Sequence, residues 1–162
     1  MSGESNEIRF SQKAKDRLAW YLTRYPTRQA ALLPALRLAQ EEFGHLTHPV
    51  MDYVAGQLEL PPVTVYEAAT FYTMYHKKPV GEHCVYVCTN VTCFLKGADQ
   101  LLEYLSGKLG IRPGQATADG KITLFSVECL GNCDKAPTVQ IDDDYHDCVT
   151  TESADRLLEK LR

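Results

Sequence analysis

Four cysteines in two separated pairs constrain this chain more than any other feature. Cys88-x4-Cys93 is followed by 35 residues and then by Cys129-x3-Cys133. Each pair offers two thiolates, so the fold must bring the second pair to the first before one metal centre can use all four. The spacing excludes several sites. A redox dithiol of the C-x-x-C type is absent. The plant-type C-x4-C-x2-C run and the bacterial C-x2-C-x2-C-x3-C run do not match. Two split pairs suit a [2Fe–2S] rhomb with two thiolates on each iron, or a four-cysteine zinc site. A non-metal role for the cysteines also stays open at this point.

The residues around the cysteines favour the cluster. His83-Cys84-Val85-Tyr86-Val87 is a β-branched and aromatic run that leads into Cys88 and reads as a strand. Phe94-Leu95-Lys96-Gly97 follows Cys93 and precedes a helical pattern. The first pair is therefore expected on a strand-to-helix loop, with a helix N-terminus nearby. Such a terminus favours an anion, and a cluster with its thiolates carries formally about −2 oxidised and about −3 reduced. The second pair again follows a strand, Ile122 to Val127. Gly131 between its cysteines lets the backbone turn tightly and bring N–H groups near sulfur; a plain turn glycine is the alternative.

The first half reads as helices. Ser11 caps a helix with Ala14, Leu18, Tyr21, Leu22 and Tyr25 on one stripe, ended by Pro26. A second carries Leu32, Leu36, Ala39 and Phe43 and stops at Gly44. Pro34 conflicts with a start at Arg28, so it marks either the true first turn or a kink. Thr47 and Pro49 open a third helix, with Val50, Tyr53, Val54 and Leu58 inward, closed by Pro61. Pro62 opens a fourth, through about Tyr72. The aromatics Tyr66, Phe71, Tyr72 and Tyr75 are expected to pack between helices; a partner surface is the alternative. Met74 to Glu82 is polar, holds Pro79 and Gly81, and reads as a linker. The domains expected are thus 1–78, a small helical bundle, and 83–162. In the latter the order is strand 83–88, helix 97–109, strand 121–127, strand 137–141, strand 145–149 and helix 152–161. That is βαβ followed by ββα, an α+β protein overall.

Three segments carry a resemblance over nearly the whole chain. They are Val-Tyr-Glu-Ala-Ala-Thr-Phe-Tyr-Thr-Met-Tyr (65–75), Val-Cys-Thr-Asn-Val-Thr-Cys (87–93) and Glu-Cys-Leu-Gly-Asn-Cys-Asp-Lys-Ala-Pro (128–137). The chain resembles the thioredoxin-like [2Fe–2S] subunit, the E subunit, of respiratory complex I (NADH:quinone oxidoreductase). It is also similar to the relatives of that subunit in NAD-linked hydrogenases and formate dehydrogenases. The resemblance implies a thioredoxin-like second domain whose cluster is held by Cys88, Cys93, Cys129 and Cys133. It implies an electron-transfer subunit of a translocase, without a catalytic residue of its own and inactive alone. The expected partners are a flavoprotein subunit that holds FMN and binds NADH, and a larger peripheral-arm assembly. The cluster is expected near that FMN, off the main wire to quinone. The equivalent diaphorase subunit of a hydrogenase or formate dehydrogenase is the alternative host, and a zinc-stapled interaction protein the alternative class. In such folds a cis proline often precedes the third strand, and Ala136-Pro137 holds the matching place. X-Pro bonds are mostly trans, so trans is the expectation.

Composition and charge agree. The apolar fraction of 44% and charged fraction of 23% are ordinary for a globular protein. Residues 1–78 carry nine Lys/Arg and eight Asp/Glu; residues 79–162 carry eight and thirteen. No basic face for nucleic acid emerges, and no apolar run approaches a membrane span. Met1 to Glu7 is polar and lacks a signal core, so a reducing cytoplasm is expected, with attachment to the inner membrane only through the complex. No G-x-G-x-x-G or P-loop offers a nucleotide or flavin site. Asp142-Asp143-Asp144 lacks EF-hand spacing and reads as a solvated turn. The five histidines suggest a Rieske-type site only if two cysteines were missing, and none is. Cys84 and Cys148 have no partner at ligand spacing and are expected as small buried hydrophobes.

Overall fold

The computed structural model describes residues 8–161, so the polar segment Met1 to Glu7 lies outside the described residues. The chain forms two compact units that divide between Pro79 and Val80. Among the described residues no helix is long and apolar enough to cross a membrane.

The first unit is four helices, α1 (Gln12–Arg24), α2 (Leu32–Phe43), α3 (His48–Leu58) and α4 (Pro62–Phe71). Their ends follow from local chemistry. Ser11 and Thr47 each accept a backbone N–H three residues on, from Ala14 and Val50. Gly44, at φ 79°, ends α2 in a conformation that a side chain would strain. Pro34 falls in the first turn of α2, where its missing N–H costs nothing. The core runs from Phe10 through Leu36, Leu46, Val54 and Leu58 to Tyr75. Phe10 stacks on Phe43 and meets Tyr53 edge-on.

The aromatic group divides. Tyr75 is buried and donates its hydroxyl to the Leu33 carbonyl at 2.8 Å. Burial pushes its pKa up to about 12. Phe71, by contrast, is 77% exposed, with Val63, Tyr72 and Met74 also exposed. Packing therefore accounts for Tyr75 but not for Phe71. The first residues of the polar connecting stretch also belong to this unit. Gln40 accepts from the His76 N–H at 2.6 Å and donates to the Met74 carbonyl at 3.0 Å.

The second unit is a mixed five-stranded sheet of order β2-β3-β1-β4-β5 with helices. Its strands are β1 (His83–Cys88), β2 (Gln115–Ala116), β3 (Ile122–Val127), β4 (Val139–Ile141) and β5 (Asp144–His146). Its helices are α5 (Val91–Leu95), α6 (Ala98–Leu109) and α7 (Thr151–Glu159). β1 and β3 are parallel, with Cys88 opposite Val127; the other pairings are antiparallel. Val85, Val87, Leu124 and Ile141 share a core with Leu101 and Leu105 of α6 and Ala154 and Leu158 of α7.

Several expectations are corrected here. β2 and α5 are additional elements, so Cys93 sits inside a short helix rather than on a plain loop. The Ala136–Pro137 bond is cis, not trans. Cys148 is exposed, at φ 48°, instead of buried, whereas Cys84 is buried. The turn at Asp142 is not simply solvated: its carboxylate accepts the Cys84 N–H at 2.8 Å and lies 2.7 Å from His83 Nδ1.

Gly81 is more than a linker glycine. Its N–H donates to the buried Thr123 hydroxyl at 2.6 Å. A Cβ there would lie 2.8–2.9 Å from backbone atoms of Lys121 and Ile122. Backbone cannot swing aside as a side-chain tip can, so β1 or β3 must shift. Gly81→Ala is expected to destabilise the second unit by about 1–3 kcal/mol, measured by denaturant unfolding. An unchanged midpoint would show that the approach of Gly81 to the start of β3 is looser than this packing requires.

Candidate metal centre

Parallel pairing dictates where the cysteine loops lie. β1 and β3 run side by side and leave the sheet at the same edge. Cys88 ends β1, and Cys129 comes two residues after β3 ends at Val127. The Thr89 N–H extends the ladder by bonding the Val127 carbonyl at 2.9 Å, and the Thr89 hydroxyl lies 3.2 Å from that of Ser126. Asn90 caps α5 by accepting the Val91 N–H. This sets Cys93 beside Cys88 and Ala98 in a small buried nucleus, flanked by Leu130 and Ala136.

All six cysteines are free thiols. Cys88 and Cys93 pack side by side in this nucleus, and Cys133 is within electrostatic reach of Cys93. The Cys93 pKa is raised, first by burial and then by these two neighbours, while the Thr138 N–H opposes the rise. Cys129 and Cys133 are exposed. Gly131, at φ 75°, turns its N–H onto Cys129 Sγ at 3.3 Å, the arrangement expected of that glycine. Among the described residues no three Cys, His, Asp or Glu side chains gather around a single-ion position. The donor set suits a thiophilic group. A buried thiol resists ionisation alone, and a coordinated cation removes its proton outright.

A second set of residues, without a motif to announce it, shapes the Cys129–Cys133 loop. Asn132 donates to Asp147 at 2.6 Å and to the Thr138 hydroxyl at 3.3 Å. Lys135 pairs with the other oxygen of Asp147 at 3.0 Å. The Asp147 carboxyl is held below the usual carboxylate range by Lys135 first and Asn132 second. Tyr145 donates its hydroxyl to the Leu130 carbonyl at 2.9 Å. The only sequence signal for any of these is the place of Asn132 between two cysteines.

The family model for thioredoxin-like [2Fe-2S] ferredoxins matches residues 18–162. The chain belongs to this family. A [2Fe–2S] cluster is the cofactor that membership implies, and the sheet with its helices is the thioredoxin-like α+β part of the chain. Among similar proteins is the NADH-quinone oxidoreductase E subunit numbered 2, from Rhizobium meliloti (strain 1021). It is 49% identical over 139 residues, covering 86% of this chain and 83% of that protein. The NADH-quinone oxidoreductase E subunit of Rickettsia bellii (strain RML369-C) is 44% identical over 144 residues, covering 87% and 86%. The crystal structure of an NAD+-reducing [NiFe]-hydrogenase in the air-oxidized state matches with a TM-score of 0.70 and 26% identity. That match covers 81% of this chain, which spans 22% of the hydrogenase chain.

Proposed function

We propose that this chain is the electron-transfer E subunit of an NADH-quinone oxidoreductase of the complex I type, with one [2Fe–2S] cluster on Cys88, Cys93, Cys129 and Cys133. The parallel β1/β3 pairing carries the reading, because both cysteine loops leave the sheet at one edge. Identity of 49% and 44% to E subunits, over most of each protein, supports the host. When bound, a cluster of this kind supplies reversible one-electron transfer and breaks no substrate bond.

The chain's residues hold and tune that group. Four thiolates bind it. The N–H groups of Gly131 and Thr138 face Cys129 and Cys93. Donors to sulfur stabilise added negative charge and so raise the reduction potential. Burial of Cys88 and Cys93 keeps water from one side. No nucleotide motif occurs in the sequence, so NADH and FMN belong to a flavoprotein partner, with the cluster near that FMN and off the main path to quinone. The chain works at the cytoplasmic side, held at the membrane through the peripheral arm.

A diaphorase module is the second reading, favoured by the structural likeness to the NAD+-reducing hydrogenase. Mass spectrometry of co-purifying chains separates the hosts. The cluster itself is tested by anaerobic purification. The protein is expected red-brown, with about two irons and two sulfides per chain and an S = 1/2 EPR signal after dithionite. A colourless protein with a single zinc would overturn the assignment.

A further inference from the structure

The Cys129–Cys133 loop is fastened by a carboxylate that lies outside it. Asp147 uses both oxygens. One accepts from Asn132 at 2.6 Å, the residue before Cys133. The other pairs with Lys135 at 3.0 Å, two residues after Cys133. The two contacts therefore bracket Cys133. A third joins the same segments, since the Cys148 N–H donates to the Lys135 carbonyl at 2.8 Å.

From this bracket the contacts continue to the first pair. Asn132 also donates to the hydroxyl of Thr138, which is fully buried. That hydroxyl lies 3.3 and 3.4 Å from the carbonyls of Asn132 and Lys135. The Thr138 carbonyl accepts the Cys88 N–H at 3.2 Å. Asp147, Asn132 and Thr138 thus form a continuous bonded path from the outer loop to Cys88, beside which Cys93 packs.

We propose that Asp147 is a positioning residue for the cluster: it sets the Cys129–Cys133 loop in register with Cys88 and Cys93. This rests on the reading that these four cysteines are the ligands. The loop needs such a fastening. Between β3 and β4 the only regular piece is the short 3-10 turn Cys133–Lys135, so side-chain bonds must supply what a ladder supplies elsewhere. Metal–ligand distances tolerate errors of only about 0.2 Å. A carboxylate is the right group because both partners are donors and it only accepts. An amide in its place could accept from only one of the two donors and would set its NH2 against the other.

The test uses the full-length protein with its cluster, purified anaerobically as wild type, Asp147→Ala, Asp147→Asn and Lys135→Arg. Three quantities are read: bleaching by an iron chelator, the midpoint potential, and amide exchange of residues 129–138 and of β1 and β3 in cluster-free protein. Asp147→Ala should lose iron roughly tenfold faster, the low end of the range for removing a direct partner of a ligand, because Asp147 acts through Asn132 and Lys135. Asp147→Asn should fall between, and Lys135→Arg, which keeps the ion pair, should stay near wild type. The midpoint potential should move with the rate. Exchange should rise in the loop and stay unchanged in β1 and β3, which a general loss of stability would not produce. Should Asp147→Ala fail to fold, the order of the Asn and Arg variants decides. Equal bleaching and potential in all variants would overturn the proposal. A wild type without a cluster would overturn the ligand reading beneath it, and the exchange of cluster-free protein would still report separately whether Asp147 holds the loop.

Discussion

Serine in place of Cys88, Cys93, Cys129 or Cys133 is expected to strip or strongly perturb the cluster, whereas serine at Cys84 or Cys148 leaves the visible and EPR spectra unchanged. Serine oxygen is a harder donor than thiolate and ionises far less readily, so it matches iron–sulfur chemistry poorly. The four sites should not respond alike. Cys88 and Cys93 are buried against Ala98, so serine there also places a hydroxyl in an apolar nucleus. These two variants should be colourless. Cys129 and Cys133 are exposed. Water can assist a serine ligand there, and a residual cluster with shifted EPR is the expected result. Cys84→Ser should cost about 1–2 kcal/mol, because the residue is buried in β1. Cys148→Ser should change stability by less than about 0.5 kcal/mol, since the side chain is exposed. Loss of colour in either of the last two would mean that the ligand set is misassigned. Colour retained at wild-type intensity in Cys88→Ser would mean the same.

What could be read from the sequence was what depends on neighbouring residues. The caps at Ser11 and Thr47 and the stop at Gly44 are local, and each lies where the residue pattern sets it. The strand runs 83–88 and 122–127 are rich in β-branched and aromatic residues, which composition detects, and consecutive positions in each are buried. Features decided by tertiary contacts were missed. α5 is a five-residue helix containing Val91 and Thr92, poor helix formers held by the Asn90 cap and by the packing of Cys93 on Cys88 and Ala98. β2 is two residues long and exists because β3 offers it an edge. β5 stops at His146 because Cys148 takes positive φ, which ends the extended run early. The same turn exposes Cys148 and brings Asp147 to Asn132. At the site, cysteine spacing could be counted, but the Asn132–Thr138–Asp147 network has no spacing rule. It depends on how β4 and β5 pair, and residue types alone do not encode that. Tyr75 and Phe71 make the same point, since similar rings four residues apart end up buried and exposed.

Deleting residues 1–79 is expected to leave the visible spectrum intact and to abolish stable co-purification with the flavoprotein partner proposed above. Each unit has its own core: one runs from Phe10 to Tyr75, the other from Val85 to Leu158. A fragment from Val80 keeps Gly81, whose N–H bonds Thr123, and all four candidate ligands. It is small for an independent domain, so a cluster that binds only the folded form would add needed stability. The helical unit contributes none of those four cysteines. What it does present is an exposed apolar group, Val63, Phe71, Tyr72 and Met74, and a nearly balanced charge that permits burial. A stable interface buries about 1,600 Å² in total, more than the rim of a cluster loop is suited to provide alone. Phe71→Ala in the full chain should therefore weaken the complex by roughly 1–3 kcal/mol, within the range of an aromatic anchor, with no change in cluster content. On the proposed division of labour, with NADH and FMN on a partner, the full chain alone is expected not to oxidise NADH. Three results would refute this division of labour: NADH oxidation by the isolated chain, partner binding by the fragment as tight as that of the full chain, or a fragment that folds but cannot hold the cluster.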